Sequence, residues 1–143
     1  LKLHLLGDDM KIVIEVMGRS HPDRTDYWDG NWVFSNVTLQ IPGYKADFCA
    51  DLRTDEFLSF QNQLKDMDEK MKGKALLDSM EGAVKIEGKM NLLGKLMWTC
   101  ETCHPIGTGA VLQFEFDSDQ SYLPKLIKEL EGILTSYLVI GKP

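Results

Sequence analysis

Cys100-Glu101-Thr102-Cys103-His104 places two thiols and an imidazole at the spacing that attaches a c-type haem. With Cys49 the same groups offer three sulfurs and one nitrogen, a zinc set if all four converge. The surrounding pattern opposes both readings. Residues 92–102 alternate as a strand does, and at about 3.3 Å per residue Cys100 and Cys103 stand roughly 10 Å apart on opposite faces. That separation is too large for a bridge or a shared ion. Haem attachment also needs an exported chain. No cofactor or metal is expected, and Cys49, Cys100, Cys103 and His104 are the alternative metal set. Three cysteines build no framework of paired bridges, which suits a reducing compartment.

The second concentration of chemistry runs from His21 to Trp32, where acids, aromatics and a histidine are interleaved. Asp23, Asp26 and Asp29 recur every three residues rather than every two, and no glutamate follows at the EF-hand distance, so calcium is not expected. Tyr27, Trp28 and Trp32 suit a recognition patch, since aromatics anchor interfaces. The same rings also suit packing over a core, with Asp and Asn satisfying loop donors. His4, His21 and His104 are the neutral-pH bases, and none stands in a catalytic motif. No nucleophile elbow, zinc-protease or phosphate-cradling motif occurs, and Gly107-Thr108-Gly109 reads as turn chemistry. A non-catalytic binding protein is the expectation, and a small metal-binding or hydrolytic domain is the rival.

Charge narrows the partner. Sixteen Lys and Arg against 22 Asp and Glu give −6 and a pI near 5.0. Residues 1–71 carry 8 basic and 13 acidic side chains, and residues 72–143 carry 8 and 9. The basic residues Lys70, Lys72 and Lys74 are too scattered for a phosphate-binding surface, so nucleic acid is not expected. A basic protein partner fits better. No stretch approaches the roughly 18 apolar residues of a spanning helix. Residues 1–10 interleave Lys2, His4, Asp8 and Asp9 where a signal peptide is apolar. A cytoplasmic chain with no membrane partner, monomeric or weakly dimeric, is expected. The 143 residues suit one domain, 1–143, without internal repeat or linker.

These residues need a scaffold, and the alternation supplies one. Ile12, Ile14 and Val16 share one side of a strand over 11–17. Val33, Val37, Leu39 and Ile41 share a face up to Pro42-Gly43, a type II turn pair, and Tyr44, Ala46, Phe48, Ala50 and Leu52 alternate after it. Residues 18–31 read as loop. Phe57, Phe60, Leu64, Met67 and Met71 fall on one helical face, with Thr54 as cap and Gly73 as stop. A short segment at 76–80 precedes strands over 83–87, 92–102 and 109–116. Leu123, Leu126, Ile127, Leu130, Ile133 and Leu134 mark a last helix, with Pro124 in its first turn and Ser121 as cap. The sum is an α+β fold: a mostly antiparallel sandwich of about six strands built from hairpins, with two amphipathic helices packed on it.

At Asp26-Tyr27-Trp28-Asp29-Gly30-Asn31-Trp32 the chain resembles the WapI-type family of bacterial immunity proteins. The hairpin, the helix at 57–64, Ser79-Met80-Glu81, and Leu112-Gln113-Phe114-Glu115-Phe116 before Asp119-Gln120-Ser121-Tyr122-Leu123 follow in a similar order, over about 11–141. The cysteine run lies outside the pattern. The resemblance implies a cytoplasmic antidote that binds a toxic domain, typically a nuclease, delivered by neighbouring bacteria. An acidic surface could occupy the cationic, phosphate-binding face of such a toxin. The candidate partner-binding residues are Asp23, Asp26, Tyr27 and Asp29, together with Asp66, Asp68 and Glu69 on the solvent face of the first helix.

Overall fold

Period-two alternation becomes strand wherever it persists, and it persists in more places than the sequence reading expects. The computed structural model describes residues 1–143. The elements are β1 (Lys2–Gly7), β2 (Met10–Arg19), α1 (Tyr27–Gly30), β3 (Trp32–Ile41), β4 (Tyr44–Arg53), α2 (Thr54–Lys70), β5 (Gly73–Asp78), β6 (Val84–Met90), β7 (Lys95–His104), β8 (Ala110–Asp119) and α3 (Leu123–Ser136). The fold is α+β, with eight strands and three helices rather than about six and two. In β1, the buried Leu3 and Leu5 alternate with the polar Lys2 and His4, an alternation too brief to stand out. Of the segment at 76–80, residues 76–78 belong to β5, whose six residues pair with β6 from Gly73↔Met90 to Asp78↔Lys85, and Ser79 and Met80 lie in the turn after it.

The strands form two antiparallel meanders, β1-β2-β3-β4 and β5-β6-β7-β8. Each is followed by a long helix, so one topological unit occurs twice without a sequence repeat. The helices cross over: α2 leaves the first sheet and lies along β5, α3 leaves the second and lies along β1, and the two pack together. This arrangement protects two exposed edges in the same way. Gln63 Oε1 on α2 accepts the Leu76 backbone N–H of β5 at 2.9 Å, and Glu129 Oε1 on α3 accepts the His4 N–H of β1 at 3.1 Å. An edge amide that could recruit a foreign strand is instead satisfied by a helix side chain.

One cluster of 29 buried apolar residues draws on both sheets and both long helices. Trp98 is central. Its ring lies by Phe60 and Phe116, with centroids 6.5 Å away in each case, and its Nε1 donates to Ser118 Oγ at 2.8 Å. The partner of Trp98 on β6 is Gly88, where an added Cβ would stand 2.5 Å from the indole. Glycine there lets the indole lie flat on the neighbouring strand.

Three expected helix boundaries are corrected. Thr54 does not cap α2. Its hydroxyl donates to Asn31 Oδ1 at 3.0 Å, and Arg53 takes the N-cap position, its N–H donating to Glu56 Oε1 at 3.2 Å. The helix stops at Met71, whose φ of 56° is left-handed, before Gly73 is reached. Met71 is accordingly exposed rather than the last member of the core stripe. Ser121 does not cap α3, because a 3-10 turn at Gln120–Tyr122 precedes the helix and Asp119 caps it, accepting from Ser121 N–H at 2.9 Å.

Candidate protein-binding site

The loop over 18–31 contains a single helical turn, α1, which a loop reading does not anticipate. Asp26 nucleates it by accepting the Asp29 N–H at 3.0 Å, the usual service of Asp at an N-cap. Arg53 holds the turn in place. The Pro42-Gly43 hairpin pairs Ile41 with Tyr44, and the same register sets Trp32 opposite Arg53 at the far end. From there the guanidinium reaches under α1 and donates to Trp28 O at 2.6 Å, Tyr27 O at 2.8 Å and Asp55 Oδ1 at 2.9 Å. It also lies 4.9–5.5 Å from the ring centroids of Tyr27, Trp28 and Trp32. At 1% exposure it is a buried cation whose bonds and aromatic faces offset its desolvation.

Asn31, also buried, fixes the other side. Its Nδ2 donates to Tyr27 O at 3.0 Å and Ile140 O at 2.9 Å, while its Oδ1 accepts the Ile140 N–H at 2.9 Å and the Thr54 hydroxyl. Arg19 adds bonds to Gly30 O at 2.7 Å and Leu138 O at 2.6 Å. The segment after α3 is thereby tied to α1. Gly30 is required by closeness, since a Cβ there would be 2.9 Å from the backbone oxygen of Arg24 as well as 2.5 Å from Ile140 Cδ1. The Asp-Tyr-Trp-Asp-Gly-Asn-Trp run is thus mainly a device for rigid placement, and what it presents outward is Trp28, 54% exposed, beside Asp29 and the exposed Asp23 and Asp26.

The expected binding residues separate into two groups. Asp23, Asp26, Tyr27 and Asp29 lie together at α1, Tyr27 half-buried edge-on to Trp28 and Asp29 4.0 Å from Arg24. Asp66, Asp68 and Glu69 lie toward the other end of α2, roughly 18 Å along the axis from Thr54 at 1.5 Å per residue. There Asp66 pairs with Lys70 at 2.9 Å, Asp68 is half-buried and Glu69 is exposed. Arg53 and Asn31 are the residues to which sequence reading assigns no role of their own, while Trp28 belongs to the aromatic patch that it does name. Only the hairpin register, carried from the Pro42-Gly43 turn to its far end, points to Arg53.

Glu56 sits beneath this assembly, accepting the Met80 N–H at 2.8 Å as well as that of Arg53. Burial pushes its carboxyl up to about 7, against the pull of those two donors and with a contribution from neighbouring Asp55. Because the folded value exceeds the ordinary 4.5, the stabilisation is complete below pH 4.5 and lost as pH rises through 7. We expect stability to urea to fall by on the order of 1–2 kcal/mol between pH 5 and 8 after allowance for partial exposure. Glu56→Gln should flatten that slope, and an unchanged slope would remove Glu56 as its source.

The cysteine run lies on β7, with Cys100 buried in the core and Cys103 on the opposite face near Pro105 O and Gly109 O. Burial pushes the Cys100 thiol up to about 12, which disfavours the thiolate a metal requires. His104 stacks on Phe48, Cys49 lies exposed on β4, and all three cysteines are free. No group of three or more His, Cys, Asp or Glu side chains is gathered to hold a metal ion.

Comparison with known proteins agrees with the motif. No curated protein sequence matches the chain. Among solved structures, the crystal structures of Trypanosoma brucei MRP1/MRP2 are similar, with 12% identity, 94% of this chain and 81% of that one covered, and a TM-score of 0.50. That likeness concerns the fold alone. The sequence profile of the immunity protein WapI-like family matches residues 4–138, and with the α1 motif held as described, the chain belongs to that family.

Proposed function

We propose that the chain neutralises a cognate toxin domain by occupying it, with α1 as the docking face and a cationic nuclease as the target. The observation that carries this reading is the exposed Trp28 indole on a turn made rigid from behind by Arg53 and Asn31, with Asp23, Asp26 and Asp29 around it. An aromatic anchor held in place before binding loses little freedom on docking, and a ring of carboxylates selects a basic surface. Tyr27 supports the indole from its edge. The net charge of −6 speeds encounter with such a target, and Asp66, Asp68 and Glu69 add to that field.

The test uses the C-terminal domain of a large secreted toxin encoded beside this gene, titrated with the intact chain. Tight binding and loss of nuclease activity on binding are expected. Asp23→Lys combined with Asp29→Lys should weaken binding by on the order of a hundredfold while leaving the melting curve in place, and Trp28→Ala should weaken it at a modest cost in stability, because the ring also faces Arg53. Unchanged affinity would dismiss α1 as the docking face. Turnover of a small molecule by the isolated chain would count against occupation as its mode of action.

A further inference from the structure

Four strand edges bound the two sheets, those of β1, β4, β5 and β8. Helices shelter β1 and β5. β4 carries the exposed Lys45, Asp47 and Asp51, and charge of that kind discourages a foreign strand. β8 is defended only toward its end, where Gly7 of β1 lies against Phe116 and the Asp117 carbonyl. Its first part, Ala110-Val111-Leu112-Gln113-Phe114, holds no charge, no proline and no bulge. Leu112 and Phe114 pack against the core yet stay half-buried, since nothing lies beyond the strand to cover them.

The phase of the ladder shows which backbone groups on this edge lack partners. Cys103 N–H donates to Ala83 O and Lys95 O accepts the Asn91 N–H, so odd-numbered residues of β7 bond toward β6 and even-numbered ones toward β8. Cys100↔Phe114 and Thr102↔Leu112 are therefore bonded pairs. Val111, Gln113 and Glu115 turn their N–H and C=O away from the sheet, and no turn, helix or loop backbone bonds to them. An unpaired row of this kind is a template for another strand.

We propose that the strand added there is β8 of a second copy of this chain, antiparallel and centred on Gln113. The segment is complementary to itself. With Gln113 opposite its counterpart, Val111 faces Glu115 and Leu112 faces Phe114, each twice by symmetry. The odd-numbered pairs exchange the missing backbone bonds, apolar side chains meet on the core side, and no like charges stand opposite. Gln113 Nε2 donates to Glu101 Oε1 at 2.6 Å, which leaves its second hydrogen and its Oε1 for the facing amide. A register shifted toward Asp119 needs the Asp117 carbonyl, against which Gly7 lies, and one shifted the other way runs into the turn at Gly109. The pairing is independent of toxin binding at α1.

Sedimentation equilibrium of the intact chain tests it. The mass should rise from 16.2 kDa at low concentration toward twice that value, with a dissociation constant on the order of 100 μM, as suits an interface below standard size. Gln113→Lys and Gln113→Glu each set like charges face to face across the twofold axis. Each alone should weaken association about tenfold or more with an unchanged melting curve. Mixed in equal amounts, the two should associate at least as well as the parent, because the facing charges are then opposite. Amide exchange at Val111, Gln113 and Glu115 should slow as the dimer forms. A mass that stays at 16.2 kDa up to about fivefold above that constant overturns the proposal. So does association that neither variant weakens, or that the mixture fails to restore. Loss of toxin binding in Gln113→Lys, with the parent monomeric throughout, would give the edge to the toxin and overturn it as well.

Discussion

Replacing Arg53 by methionine is expected to cost about 3–5 kcal/mol, a large part of the stability of a domain of this size. Methionine keeps much of the volume but supplies no donors. Tyr27 O and Trp28 O lose the two guanidinium bonds of 2.8 and 2.6 Å, and Asp55 loses its partner at 2.9 Å. Arg53→Lys should fall between the two, because one ammonium group cannot span both carbonyls and Asp55 as a planar fork does. Urea unfolding measures the loss, and hydrogen exchange over residues 26–31 should show α1 opening first. A loss under about 1 kcal/mol in Arg53→Met, with α1 still protected, would mean that Asn31, Arg19 and the Asp26 cap hold the turn without Arg53.

Trp98→Ala should cost a comparable ~3–5 kcal/mol by another mechanism. The indole fills the space between Phe60, Phe116 and the bare backbone of Gly88, so its loss leaves a cavity that rigid neighbours cannot close. Ser118 Oγ also loses the donor at 2.8 Å. Trp98→Phe, which retains most of the buried area, should cost clearly less. Equal losses for Ala and Phe in urea unfolding would place the energy in the Ser118 bond rather than in packing.

The two losses differ in reach. Trp98 belongs to the common core, so its removal lowers the whole unfolding transition. Arg53 holds a peripheral turn, and its removal should detach the proposed docking face before the core melts. A chain that still melts cooperatively but no longer binds toxin is therefore the expected behaviour of weaker Arg53 variants, and calorimetry with a binding titration separates the two effects.

Much of the scaffold was legible in the residues. The β3-β4 hairpin follows from clean alternation on both sides of Pro42-Gly43, and the buried faces of α2 and α3 follow from three- and four-residue spacing. Alternation sufficed to set Cys100 and Cys103 on opposite faces of β7. Local pattern reports local geometry well, because side-chain direction has a fixed period in each element. Strands β1 and β5 escaped because each has six residues, too few for a period to show, and helices from the other half of the chain shelter their edges.

The motif at 26–32 and the acidic balance were determined by the sequence alone, and the motif, with the stretches that follow it in similar order, sufficed to indicate the family. Tertiary structure decided what the motif does: Asn31 and Gly30 meet Ile140, and Arg53 meets Tyr27 and Trp28, across separations of 25 or more residues. Such gatherings depend on strand register and on the crossing of α2 and α3 between sheets. Both are set by the whole core at once, and no window of neighbouring residues contains them.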